Sequence, residues 1–113
     1  MSKLYKNSLQ KGSIRYIIFQ EEGTWYGVGL EFNIVEEAAN PQEALFLLLE
    51  STRGYLKSAK KSKARVNHIL NQKADSEYEE LWDRLESAKE KKIKISPKVF
   101  THGIFRNREL AHA

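Results

Sequence analysis

The chain has 113 residues, 41% hydrophobic and 30% charged, with a formal net charge of +4 and no cysteine; one core is expected, and disulfides, thiolate metal sites and a cysteine nucleophile are excluded. The longest apolar run, Ala44 to Leu49, falls far short of the roughly 20 residues that span a bilayer, and the opening MSKLYKNSLQKGS has no apolar signal segment, so a cytoplasmic protein outside the membrane is expected. Charge is segregated: residues 16–52 carry seven glutamates and no lysine or arginine, while residues 51–74 carry seven lysines and arginines and no acid, which predicts two differently charged surfaces.

Residues 1–12 are polar and aperiodic and predict a loosely held N-terminus. SIRYIIFQ then alternates, with Ile14, Tyr16 and Ile18 on one side and Arg15, Ile17 and Phe19 on the other, as a strand requires. Glu21-Glu22-Gly23 predicts a three-residue bulged hairpin with the glycine in the left-handed position. In the second strand, TWYGVGLE, Gly27 and Gly29 share a face; glycine weakens a strand unless something must approach closely, so a helix backbone is expected there. A short third strand, IVEEA, follows.

Asn40 is placed to cap a helix, Pro41 suits its first position and Glu43 follows three after the cap, predicting a helix from Pro41 to about Lys63. Leu45, Leu48, Thr52, Tyr55, Leu56 and Ala59 form its stripe, and Phe46 and Leu49 widen the apolar surface beyond one face. That width predicts a dimer contact through Phe46 and Leu49 or a second covering element, and Gly54 in mid-helix suggests close packing. VNHILNQKAD reads as a connector anchored by Ile69 and Leu70. Ser76 and Glu79 make a capping-box signature before Tyr78, Leu81, Trp82, Leu85 and Ala88, so a second helix is expected over residues 75–92, with Lys89, Lys91 and Lys92 opposing its dipole. Residues 98–105, KVFTHGIF, have strand propensity. The whole reads as a single α+β domain over residues 1–113: a 13–63 β-β-β-α core with a three-stranded antiparallel sheet packed on a long helix, then a second helix and a late strand.

No residue set carries a catalytic signature. The glycines at 23, 27 and 29 lack phosphate-loop spacing and lie in a strand. Glu31, Glu36 and Glu37 could collect a hard cation in principle, but adjacent residues of a strand point to opposite faces, so no metal or cofactor is expected. His68, His102 and His112 have no partner at metal-ligand spacing, and His102 beside Gly103 reads as a turn residue. Trp25 and Tyr26 read as core aromatics. Glu21, Glu22, Glu31, Glu36 and Glu37 form an expected acidic rim around the sheet face away from the long helix, suited to a small basic protein partner. The alternative is nucleic acid held by Arg53, Lys57, Lys60 and Lys61 on the basic end of the helix.

The sequence YIIFQEEGTWYGVGLEF, the acidic turn into a short strand and NPQEALFLLLESTRGYLKSAKK resemble the small HicB-like antitoxin domain over residues 14–60, and DSEYEELWDRL is similar to a segment of short members of that group. The resemblance implies a degenerate ribonuclease-H-like β-β-β-α-β core without catalytic residues, dimerised, that binds and blocks a small basic ribonuclease toxin. Glu31-Phe32-Asn33-Ile34 stands where the family usually has a Pro-Asp-Leu-Pro-Gly-like turn. Residues 75–113 show no helix-turn-helix or ribbon-helix-helix pattern, so the operator binding of many antitoxins is not expected here.

Overall fold

The structure is a computed structural model that describes residue 7 and residues 12–61 and 69–106. The alternating segments become β1 (Ser13–Glu21), β2 (Thr24–Gly29) and β3 (Ile34–Ala38), followed by α1 (Pro41–Lys61), α2 (Ser76–Glu90) and β4 (Val99–Arg106). The late strand does not stand apart. It pairs antiparallel along the other edge of β1, so the sheet has four strands in the order β3-β2-β1-β4, not three. β1 is nine residues long and apolar on both faces, which gives it the length to serve two neighbours.

The β1–β2 hairpin is tighter than expected. Glu21 pairs with Thr24, leaving Glu22 (φ 51°) and Gly23 (φ 83°) as a two-residue loop. Two consecutive positive φ angles match the strands' right-handed twist, which a three-residue bulge would have to accommodate differently.

Pairing in register places Ile14, Tyr16, Ile18, Gly27, Gly29 and Ile34 on one face, where Ile18 packs with Ala44 and Leu48 of α1, and Ile14 with Leu56 and Ala59. The opposite face carries Ile17, Val28 and Leu30, buried with Trp82 and Leu85 of α2. The result is helix, sheet, helix. The face expected to be left for another protein is therefore largely covered by α2, because a row of such apolar side chains stabilises by roughly 25 cal/mol per Å² when removed from water.

Asn40 caps α1 as expected: its Oδ1 accepts the Glu43 N–H at 2.8 Å. A Cβ at Gly27 would lie 2.8 Å from the Ala44 carbonyl oxygen and 3.1 Å from Leu48 Cβ, so the absence of a side chain is what lets α1 approach. Gly54 is different. It is exposed, with nothing within 4 Å of an added Cβ, so it marks no packing contact. The expected end of α1 at Lys63 and the expected disposition of residues 1–6, 8–11 and 66–68 lie outside the described residues. Within them, Leu70 does anchor the connector, fully buried beside Ile14 and Phe32. Asn7 is not loose: it is 3% exposed, donates its side-chain amide to the Leu70 carbonyl at 2.9 Å and accepts the Ser13 N–H at 2.6 Å.

α2 starts without its expected box. Asp75 is the N-cap residue and makes no side-chain cap bond, while Ser76 is already helical. At the other end Ile93 N–H bonds Ala88 O at 2.8 Å and Lys92 N–H bonds Lys89 O at 3.2 Å, with Lys92 at φ 56°; this is a Schellman closure built on lysine where glycine is usual. Among the described residues no helix is long and apolar enough to cross a membrane.

The two glycine environments make opposite predictions for urea unfolding. Gly27→Ala should lower stability by about 1–3 kcal/mol through overpacking against α1, whereas Gly54→Ala should raise it by about 1 kcal/mol.

Candidate functional site

The alternation of β1 aims Arg15 at the α2 side of the sheet, and its guanidinium is shared between two carboxylates. Nε donates to Glu31 Oε2 at 2.6 Å, and Nη1 and Nη2 donate to the two Glu79 oxygens at 2.8 Å each. The Arg15 backbone N–H donates to Glu31 Oε1 at 2.7 Å, and Cζ sits 5.6 Å from the Trp82 ring centroid. Burial alone would lower the Arg15 pKa, but hydrogen bonding to Glu79 and the charge of Glu31 outweigh it and raise it above the ordinary value. Glu79 is thus spent on a bidentate contact, which explains the missing capping box. Glu31 is 4% exposed and is no part of a rim. The chemistry of this cluster is structural: each guanidinium nitrogen of Arg15 has a carboxylate acceptor within the chain.

The remaining expected acids do not form one surface. Glu36 faces α1 and accepts a hydrogen bond from the Ser51 hydroxyl, while Glu37 is exposed on the other face of β3. Glu21 and Glu22 are exposed at the hairpin. Glu37 pairs beside Tyr26, and Glu21 beside Thr24, so Glu21, Glu22 and Glu37 share the hairpin end of the sheet. Of the expected dimer contact, Phe46 is 60% exposed whereas Leu49 is half-buried against the cluster containing Phe32 and Leu56; Leu49 serves the chain's own core. Lys57, Lys60 and Lys61 are exposed along the end of α1, and Arg53 pairs with Glu50 one turn back at 3.1 Å. His102 lies within β4, not in a turn, with Nε2 2.9 Å from Glu86 Oε2 and its ring edge-on to Trp82. Among the described residues no group of three or more metal-ligating side chains converges.

α2 leaves an opening near the hairpin. A groove of about 280 Å³ is lined by Phe19, Glu21, Tyr26, Glu77, Tyr78 and Arg84, among others. Its aromatic wall is ordered by contacts of Phe19 with Tyr26 (5.6 Å between ring centroids) and with Tyr78 (6.2 Å). The Tyr78 phenol pKa is raised, first by burial and then by the negative charges of Glu77, Asp75 and Glu21. With Glu21 and Glu77 against the single cation Arg84, the groove combines ring faces with an excess of negative charge, a combination that attracts cationic groups.

Sequence reading singled out Glu21 alone of these residues for a site. Tyr26 and Tyr78 read as core in the sequence, and the one signal for Glu77 is an acid adjacent to a tyrosine in the first turn of α2, where a carboxylate is already explained by the helix dipole. No known protein family, no curated protein and no solved structure matches this chain.

Two measurements check this description. Arg15→Met strands Glu31 in the interior and should cost roughly 3–5 kcal/mol in denaturant unfolding; adding Glu31→Gln, which still accepts the Arg15 N–H, should recover part of that loss. The raised Tyr78 pKa favours the neutral phenol in the folded state, so its contribution is fully present below the ordinary value near 10 and is lost as pH rises through the folded-state pKa. Glu77→Gln should shift the ultraviolet titration of this tyrosine to lower pH, with the part due to burial remaining.

Proposed function

We propose that the chain is a non-enzymatic, cytoplasmic binding protein of the HicB-like antitoxin type, which captures a small basic protein, a toxin-like ribonuclease, by taking one of its cationic side chains into the groove between the hairpin and α2. The observation that carries the reading is the groove itself: tyrosine faces at Tyr26 and Tyr78 with Glu21 and Glu77 beside them, and Glu22 and Glu37 exposed on the same end of the sheet. A lysine or arginine placed there gains both a ring face and a carboxylate, and the surrounding acids speed its encounter with a basic partner. The succession of three antiparallel strands and a long capped helix agrees with the element order the family resemblance implies, with α2 as an additional element before the last strand. Exposed Phe46 is the residue through which such a protein would dimerise.

The exposed lysines Lys57, Lys60 and Lys61 support nucleic-acid binding as the second reading. Capture of the tagged chain from its native cells at moderate salt separates the two. The proposal expects a stoichiometric small basic protein whose production alone arrests growth, whose toxicity this chain relieves, and whose binding falls about tenfold or more with Glu21→Lys plus Glu77→Lys. A partner indifferent to that double reversal would contradict the groove as its site. Recovery of nucleic acid alone, released by salt and lost with Lys60→Glu plus Lys61→Glu, would transfer the function to α1.

A further inference from the structure

Beyond Leu81 the groove opens into a second, larger hollow of about 420 Å³, within the size range of small-molecule sites. Phe19 of β1 is part of its lining. Leu81, Leu85 and Ala88 of α2 line one side, and Ile95, ahead of β4, and Val99, its first residue, line the other. The α2 residues follow i, i+4, i+7 spacing, so they form one apolar stripe, roughly 10 Å long at 1.5 Å rise per residue.

The rim has the opposite charge to the Tyr78 end. Arg84, Lys94 and Lys98 line it, against Glu21 as its acid. Among the described residues none of these three cations has an ion-pair partner, in contrast to Arg15 and Arg53. They belong to a wider excess: residues 84–98 hold Arg84, Lys89, Lys91, Lys92, Lys94 and Lys98 against two acids, Glu86 and Glu90. The negative pole of the helix dipole acts over the last turn and is served by Lys89, Lys91 and Lys92; Arg84 and Lys98 lie outside that turn and remain for another anion.

We propose that this hollow is a binding site for an amphiphilic monoanion, with an unbranched apolar chain of about eight to ten carbons, the reach of the stripe, and a carboxylate head. The chain lies along Leu81, Leu85 and Ala88 opposite Ile95 and Val99, and the head meets Arg84, Lys94 and Lys98. A bare inorganic anion would leave the half-buried apolar surface of Leu81, Ile95 and Val99 uncovered, and a neutral chain would leave the cations unused; the site matches a ligand that has both parts. The assignment goes beyond the protein-partner reading and holds whether or not the Tyr78 end captures a basic side chain.

The test is calorimetric titration of the full chain with decanoate below its micellar concentration, alongside decyltrimethylammonium as the opposite-charge probe, with methyl resonances followed by NMR. Saturable one-to-one binding of decanoate is expected, about tenfold or more tighter than the cationic probe, with shifts at the Leu81, Leu85, Ile95 and Val99 methyls. Lys94→Glu with Lys98→Glu, both at exposed positions, should weaken decanoate binding about tenfold while the unfolding midpoint is unchanged. Absence of saturable binding, equal binding of the two probes, methyl shifts confined to other parts of the chain, or indifference to the double reversal would each overturn the assignment.

Discussion

The guanidinium of Arg15 is the point at which three parts of the chain meet. It leaves the middle of the sheet, grips Glu79 on α2 with both terminal nitrogens, and holds Glu31 in the turn between β2 and β3. Backbone bonds extend the same junction: Leu30 N–H donates to the Arg15 carbonyl at 2.9 Å, and Gln72 N–H to the Glu31 carbonyl at 2.7 Å. Arginine is suited to this position because its rigid fork of five donors can serve two carboxylates at once, which a lysine ammonium cannot do with the same geometry. A buried ionic network returns little net stability once desolvation is subtracted. What it supplies here is position, since Trp82, packed beside it, and the rest of α2 are set at one height on the sheet.

That position decides what the second face of the sheet offers. With α2 held over Ile17, Val28 and Leu30, the face is closed at its centre, and towards the hairpin it leaves an opening beside the helix. The opening has two electrostatic ends that share Phe19, Glu21, Leu81 and Arg84. Glu21 and Glu77 flank the tyrosines at one end, and Lys94 and Lys98 rim the apolar hollow at the other. Glu77 belongs to the first end alone and Lys94 and Lys98 to the second alone, while Glu21 and Arg84 face both.

Much of the local structure was legible because it rests on short-range rules. Alternation placed β1 and β2, Asn40-Pro41 announced α1, and Gly27 signalled the approach of a helix backbone that the Ala44 carbonyl makes concrete. The failures are contacts between residues far apart in the chain. Ser76 and Glu79 have the spacing of a capping box, yet Arg15, 64 residues from Glu79, offers its carboxylate two charged donors. Glu31 looked like surface for the same reason: the partner that makes its burial tolerable lies 16 residues earlier. The joining of β4 to β1 is equally non-local, and a strand interrupted by Gly103 gives no hint of which edge it will take. The acidic block of residues 16–52 did not become an acidic face because strands send neighbouring side chains to opposite sides, separating Glu36 from Glu37. The groove was legible only in fragments, since its walls come from β1, β2 and α2 together.

The central claim is that Arg15 fixes α2 on the sheet and thereby shapes the opening beside it. Amide hydrogen exchange measured residue by residue on the full chain and on Arg15→Lys tests it directly, because lysine keeps the charge and loses the fork. The account predicts that protection of α2 amides from Leu81 to Ala88 falls selectively, while β1 and β2 amides paired between Ile17 and Val28 keep theirs. Equal protection of α2 in the two proteins would contradict it and would leave apolar packing alone as the force that seats the helix.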